Sequence, residues 1–367
     1  MHACTSEALR PWPLRLTLAL AAALAAGCAS IGPPSVPRDR IDYAGAIADS
    51  WREQTLLNIV KLRYFDAPAF LEISSVIGSY TVQGGVNAQN RVYGSSSTST
   101  SREPLSTLGI SGSYVDHPTI TYVPVTGKKY IDSLLRPIPP QAVFAMIQGG
   151  HPADFILSLS VEAINGIYNS SSGLLHARPE DPRFARVIEA LRRIQDAGAL
   201  EIRTERRDRQ EVTLLAFRSD AGPETDGDIQ LVREMLGIGP QVKELRVDFG
   251  AAPGKGDQIT LLTRSMLKVL ANISSGVDVP KEDLAEGRAT VPPPAGGASR
   301  PFAIARIHSG NARPLDAYVA ARYRDHWFWI DDRDLNSKRV FTFLLVFSSI
   351  AETGAVPQVP IITIPAN

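Results

Sequence analysis

The chain has 367 residues, with 38 basic and 38 acidic side chains, so its formal net charge is zero. An apolar fraction of 44% and a charged fraction of 21% exclude wholesale disorder and fit a globular protein of about two domains. Zero net charge argues against a nucleic-acid partner, and the only two cysteines, Cys4 and Cys28, leave the rest of the chain without a disulfide or a thiol site.

The beginning of the chain has the composition of an export signal. Arg10 and Arg15 precede an uncharged apolar run over residues 16–26, and Cys28 follows closely. A basic start, a short apolar core and small residues after it are typical of a signal peptide. The apolar run is much shorter than the roughly 20 residues of a spanning helix. We therefore predict a signal peptide over residues 1–27.

The residues around Cys28 sharpen this prediction. The motif AAGC at residues 25–28 resembles the lipobox of bacterial lipoproteins, with alanine where leucine is commoner. The resemblance implies cleavage before Cys28, a diacylglyceryl thioether on its sulfur and acylation of its amino group, so that membrane lipid is its partner. Ala29 and Ser30 stand where aspartate would favour the inner membrane, which implies the outer membrane. The alternative is an ordinary secretory signal with an incidental cysteine.

The first part of the mature chain predicts a helix followed by strands. Residues 28–40 are rich in Pro, Ser and Gly and predict a flexible tether. Residues 41–64 predict a helix that is buried in its second half, since apolar side chains lie on nearly every side there. Alternating apolar residues predict strands at 70–82, 107–115 and 119–123.

The remainder mixes helices and strands without strict alternation. Asp181 before Pro182 predicts a capped helix that Gly198 ends. The helices predicted here are 128–135, 139–147, 152–168, 182–197, 228–236, 258–273 and 337–351. The strands predicted here are 200–204, 212–217, 242–249, 302–308, 318–321, 325–330 and 360–364. This order favours an α+β fold with mainly antiparallel strands.

Composition shifts divide the chain into segments. They are a signal peptide (1–27), a tether (28–40), an N-terminal α+β domain (41–173) with a long hairpin (70–116), a middle α/β domain (174–290), a Pro/Gly linker (291–301), and C-terminal strands and a helix (302–367) that pack on the middle domain.

The hairpin at residues 70–116 has two chemically different faces. The apolar face carries Val76, Gly78, Tyr80, Val82, Val86, Leu108, Ile110, Gly112 and Tyr114. The opposite face carries Ser75, Ser79, Thr81, Gln83, Asn87, Gly109, Ser111 and Ser113, with Ile77 as an exception. This pattern matches a membrane-spanning hairpin, or an arm through which copies of the chain or an envelope protein partner assemble. The alternative is a hairpin that covers the core of its own subunit.

A carboxylate cluster supports an alternative function. Asp331, Asp332 and Asp334 follow a strand that contains Trp327 and Trp329. Paired carboxylates can act as general acid and base on a glycan while tryptophan rings stack on the sugars, which would make the protein a periplasmic hydrolase of envelope glycans. The competing interpretation is that the aspartates form a turn or a helix cap and that both tryptophans face the core.

Other motifs give no site. Ser265 and Lys268 spell the SxxK of penicillin-binding enzymes, but the companion motifs are absent, so we predict a helix with an exposed lysine. Residues 250–256 lack the spacing and the final Ser/Thr of a P-loop, so no nucleotide is expected. The histidines are scattered singly, and we predict neither a metal site nor a cofactor.

Residues 54–64 (QTLLNIVKLRY) and 323–337 are similar to segments of uncharacterised proteobacterial outer-membrane lipoproteins. This resemblance implies a location and no activity. We therefore predict an outer-membrane lipoprotein, anchored by lipid on Cys28, whose periplasmic body has a non-enzymatic role in binding or assembly.

Overall fold

The structure, a computed structural model, describes residues 36–77, 80–91, 105–116, 118–173, 176–207, 210–218, 220–289 and 305–351. Cys28, the signal peptide and the predicted strand 360–364 lie outside the described residues.

Helices and antiparallel strands are interspersed along the described chain. The helices are α1 (Val36–Arg63), α2 (Gly127–Tyr130), α3 (Pro140–Gln148), α4 (Ala153–Ser160), α5 (Pro182–Asp196), α6 (Pro223–Leu236), α7 (Met266–Ser274), α8 (Lys281–Ala285) and α9 (Leu335–Ala351), with a π-helical turn at Ile131–Leu135. The strands are β1 (Leu71–Ile77), β2 (Tyr80–Arg91), β3 (Leu105–Asp116), β4 (Thr119–Pro124), β5 (Val161–Ile164), β6 (Ile167–Tyr168), β7 (Ser171–Gly173), β8 (His176–Arg178), β9 (Leu200–Arg207), β10 (Gln210–Phe217), β11 (Glu244–Phe249), β12 (Gln258–Thr263), β13 (His308–Gly310), β14 (Ala317–Tyr323) and β15 (His326–Asp331). The predicted α+β class is confirmed.

Helix α1 has an exposed first half and a buried end. The chain is already helical at Val36, the first described residue, so the helix includes part of the predicted tether. Leu56, Ile59 and Val60 near its end are fully buried. Among the described helices, none is both long and apolar enough to cross a membrane.

A six-stranded sheet forms the centre of the body, in the order β6-β5-β12-β11-β10-β9. Neighbouring strands are antiparallel except β11 and β12, which are parallel. Helix α3 lies against β9, β10 and β11, and α5 packs on α4 and α6. The apolar core includes Phe184 of α5, Ile259 of β12 and Phe341 of α9, so it draws on widely separated segments.

A second sheet, in the order β13-β15-β14, packs on α1. Of the predicted strand 302–308, residues 302–304 lie outside the described part, and β13 begins only at His308.

Two of the predicted helices are partly wrong. The segment 152–168 is helical only to Ser160 and then forms the hairpin β5–β6 around Asn165-Gly166. Both turn residues have positive φ, 47° and 81°, which Asn and Gly adopt most easily. The segment 258–273 begins as the buried strand β12, and its helix α7 starts only after Ser265, whose side chain accepts a hydrogen bond from the backbone N–H of Lys268.

Candidate functional site

The strands β1 to β4 form a long two-stranded ribbon, which we call the arm. β1 pairs with β4 from Leu71↔Pro124 to Ile77↔Thr119, and β2 pairs with β3 from Tyr80↔Asp116 to Arg91↔Leu105. The backbone N–H of Val125 donates to the carbonyl of Phe70 at 2.9 Å and closes the ribbon where it leaves the body. The tip (residues 92–104), residues 78–79 and His117 lie outside the described residues.

The register of the arm joins like residues across its two strands. Positions on one face pair as Val82↔Tyr114, Gly84↔Gly112, Val86↔Ile110 and Ala88↔Leu108. Positions on the other face pair as Gln83↔Ser113, Gly85↔Ser111, Asn87↔Gly109 and Gln89↔Thr107. Because β2 and β3 are in register over their full length, the predicted apolar and polar rows occupy opposite faces of this part of the ribbon.

The outer half of the arm has its extensive contacts within itself. Among the described residues, β2 and β3 pack mainly against each other. Gln83, Asn87 and Ser111 on the polar face are exposed. Large apolar side chains of the ribbon that are more than a third exposed are Leu71, Ile77, Val115, Ile120, Tyr122 and Val123. The arm therefore presents apolar surface that the body does not cover.

Two amide side chains of α1 hold the start of the arm. Asn58 donates to the carbonyl of Ala69 and accepts from its N–H, both at 2.9 Å. Gln54 donates to the carbonyl of Leu71 at 3.1 Å and accepts from its N–H at 2.7 Å. Because the two amides lie one helical turn apart, they bond alternate residues of the extended chain as a neighbouring strand would. Sequence analysis missed this clamp, since nothing in the pattern indicates which backbone a polar side chain meets.

The chain just after helix α1 is in turn fixed to α8 and to the second sheet. The Tyr64 hydroxyl donates to Asp283 at 2.6 Å, the Tyr323 hydroxyl donates to Asp66, and the Arg324 guanidinium lies 5.0 Å from the centre of the Tyr64 ring. Burial and the hydrogen bond to Asp283 raise the pKa of Tyr64 above its usual value, so the phenol stays protonated. These contacts give the arm a rigid base.

A small cavity of about 110 Å³ lies beside that base. Its walls include Trp51 of α1, Phe70 and Leu71 at the start of the arm, and Leu345 of α9. The lining is mostly apolar, so the cavity suits an apolar group rather than a charged one.

The three candidate catalytic carboxylates are engaged in local structure. Asp331 accepts from the backbone N–H of Arg333 at 2.8 Å, and Asp332 forms an ion pair with Lys338 at 2.6 Å. Asp334 caps α9 by accepting from the backbone N–H of Ser337 at 3.0 Å and from its hydroxyl at 2.6 Å. None of the three lines the cavity beside the arm.

The pKa of Asp334 is shifted away from that of a general acid. Partial burial acts to raise it, but hydrogen bonds from the hydroxyl and N–H of Ser337 and from the N–H of Asn336 hold it below its usual value. A glycosidase acid needs the opposite shift, a raised pKa that keeps the proton on the carboxyl at working pH. The geometry therefore supports the turn-and-cap interpretation for this residue.

The tryptophans beside this cluster do not face the core, which corrects the expectation from alternation. Phe328 and Ile330 of β15 are fully buried, whereas Trp327 and Trp329 are only partly buried on the opposite face. The Arg313 guanidinium lies 5.3 Å from the Trp327 ring centre, and the His308 ring lies 5.6 Å from that of Trp329. The smaller apolar side chains fill the core, since tryptophan is rarely buried completely.

The remaining motifs have structural roles. Ser265 is the N-cap of α7, and the Lys268 ammonium forms an ion pair with the partly buried Glu162. In the part of the chain that the structure describes, no group of three or more His, Cys, Asp or Glu residues could hold a metal ion.

Comparison with known proteins gives no relative. No family model, curated protein or solved structure matches this chain.

Proposed function

We propose that the protein is an outer-membrane lipoprotein, anchored by acyl chains on Cys28, whose periplasmic body presents the arm for assembly with further copies of itself. Its role is structural rather than enzymatic. The observation that carries this proposal is the arm, a ribbon whose longest strands, β2 and β3, pack mainly on each other among the described residues.

A two-stranded ribbon of this kind has too few strands to be stable by itself. An isolated two-stranded hairpin is marginally stable in water, and three or more strands or a packed face are needed for independent stability. The exposed apolar side chains of β1, β3 and β4 add surface that is favourable to bury. Assembly of several arms would supply the missing strands and cover this surface together.

The body is built to hold the arm in place. The clamp of Gln54 and Asn58 ties its base to α1, and the ion pair between Lys129 and Glu72 ties it to α2. The bond from Tyr64 to Asp283 fixes the end of α1 to α8. A fixed base lowers the conformational entropy that assembly must otherwise remove.

The decisive experiment shortens the arm. In one variant residues 78–118 are replaced by Asn-Gly, which joins the paired residues Ile77 and Thr119 through a two-residue turn. The detergent-solubilised, full-length parent should have the molar mass of an oligomer by light scattering, and the variant that of a monomer with an unchanged melting temperature. A monomeric parent, or an oligomeric variant, would refute the proposed assembly.

The anchor is tested separately by Cys28→Ser. We expect this variant to lose acyl labelling and to leave the outer-membrane fraction, because several acyl chains at ~0.8 kcal/mol per buried CH₂ make attachment effectively permanent. Acyl labelling that persists in Cys28→Ser would disprove lipidation at this residue.

A further inference from the structure

The two outer edges of the arm are open for strand pairing. β2 and β3 form a sheet of only two strands, so among the described residues each is hydrogen-bonded along one edge and not along the other. Both strands have 12 residues. Among the described residues, the outer edges of β2 and β3 thus carry two long rows of backbone N–H and C=O groups that no neighbouring strand pairs.

Within the described residues, β2 and β3 lack three features by which proteins usually prevent strand addition. Edge strands are commonly protected by charged side chains, by proline or by a bulge. β2 and β3 contain no proline, their register has no shift, and their only charged residues are Arg91 and Asp116, at the ends of the paired segment. The neighbouring ribbon β1–β4 differs, because its register shifts between Ile73 and Ser75, and Glu72 and Pro124 lie in its strands.

We infer that the arms of several copies pair edge to edge, with β2 of one copy antiparallel to β3 of the next, into one continuous sheet. This inference rests on the proposed function and specifies its partner, which is a second copy of this chain. A partner strand must be long and uncharged, and its apolar and polar residues must alternate in step with those of β2. β3 meets these requirements, since within the chain it already pairs with β2 over the full length.

The same geometry favours a head-to-tail arrangement over a two-fold dimer. Pairing β2 with β2 around a two-fold axis leaves both β3 edges open. Pairing β3 with β3 in the same way leaves both β2 edges open. Pairing β2 with the next copy's β3 uses both edges of every copy and gives a ring if the rotation closes. Each arm then has a strand on both sides, and all apolar faces lie on one side of the sheet.

Cysteine crosslinking tests this arrangement. The chain has cysteine only at positions 4 and 28, so single cysteines in the arm report cleanly. One panel carries Gln83→Cys, Asn87→Cys or Gln89→Cys on β2, and the other carries Gly109→Cys, Ser111→Cys or Ser113→Cys on β3. Pairs of full-length single-cysteine chains are produced together and oxidised in the membrane. The controls are the parent without an added cysteine and Thr204→Cys on the exposed edge strand β9.

We expect at least one combination of a β2 cysteine with a β3 cysteine to give a disulfide-linked dimer, at twice the monomer mass on a non-reducing gel. Single variants expressed alone, and both controls, should remain monomeric on that gel. Self-crosslinking of a β2 variant would overturn the head-to-tail arrangement in favour of a two-fold dimer. An oligomeric mass without any β2–β3 crosslink would overturn edge pairing while leaving assembly intact, whereas a monomeric mass would overturn both proposals.

Discussion

Two hairpins of similar construction have opposite surroundings in this protein. β9–β10 ends the six-stranded sheet, and Ile202, Leu214 and Leu215 from it are buried in the core. Its edge strand β9 reads LEIRTERR, so five of its eight residues are charged. β2–β3 has longer strands, its extensive contacts among the described residues are between its own two strands, and its charged residues lie only at its ends.

The charged edge of β9 and the uncharged edges of β2 and β3 fit the proposed assembly through the arm. A buried hairpin already has its stabilising contacts, and a charged edge keeps a further strand from adding to it. The hairpin β2–β3 packs mainly on itself and has uncharged edges, so it lacks both the stabilising contacts of β9–β10 and its protection against strand addition. Within one chain, the second is therefore the place where another chain is expected to bind.

The largest effects should come from placing charge in each hairpin. Leu215→Asp buries a carboxylate without a partner and should destabilise the body by roughly 3–5 kcal/mol. Tyr80→Asp with Ile110→Asp, on the apolar face of the arm, should abolish the oligomer and leave the melting temperature of the body unchanged. Thermal melts and light scattering on the same samples check both results. A collapsed melting temperature in the arm variant would show that this face covers the body's own core.

The clamp at the base of the arm should have the next largest effect. Asn58→Leu leaves the N–H and C=O of Ala69 without their partners, which costs about 1–3 kcal/mol when such groups are buried. Denaturant unfolding measures the loss, and Glu53→Leu, at an exposed position of the same helix, is the matched control. Equal stability of the two variants would contradict the role of the clamp.

The sequence predicts the hairpin of the arm but not all of its bounds. The predicted strand 70–82 ends at Val82, whereas β2 continues to Arg91. A period of two indicates the strands of the hairpin, and the register Val86↔Ile110 pairs two residues of the predicted apolar rows. The Asp181–Pro182 start of α5 is confirmed for a similar reason, since the Asp181 side chain accepts from the N–H of Arg183 at 2.9 Å. Local chemistry determines these features without help from distant residues.

The failures come from features that local patterns do not determine. The strand β12 reads QITLLT, a short apolar run that periodicity cannot separate from a buried helix. The turn Asn165-Gly166 is a strong hairpin signal, but it lies inside an apolar segment whose pattern is typical of a helix. The contacts of Asn58 with Ala69 and of Tyr64 with Asp283 join separate elements, so only the folded chain reveals them.

Substitutions in the carboxylate cluster should have a smaller effect on stability, and they distinguish a helix-capping role of Asp334 from a catalytic one. Asp334→Ala removes the acceptor for the Ser337 N–H and should lower the free energy of unfolding by about 0.5–2 kcal/mol, while Asp334→Asn keeps a capping oxygen and should lower it less.

The same cap predicts a pH dependence of stability. Because the folded-state pKa of Asp334 is lowered, its ionised form contributes stability above the unfolded pKa of about 3.9. That contribution should disappear as pH falls through the lower, folded-state pKa, which melts of parent and variants between pH 7 and pH 2 would show. If Asp334→Asn or Asp331→Asn folds normally but can no longer replace the parent protein in the cell, the result would instead support the hydrolase alternative.

The smallest effect is expected from a variant that makes the middle of the edge strand β9 of the body uncharged, as the middle of β2 and of β3 in the arm is. Arg203→Thr, Glu205→Thr and Arg206→Thr together remove three charges from β9. Arg203 forms an ion pair with Glu244, but both side chains are about half exposed, and such pairs contribute about 0–1 kcal/mol. The triple variant should therefore keep nearly the parent's stability. In the shortened-arm background, where we expect a monomer, it should gain a weak, concentration-dependent self-association that sedimentation velocity can measure. If it stays monomeric at every concentration, charge is not what keeps β9 unpaired, and the absence of charge in β2 and β3 loses its force as an argument for edge pairing.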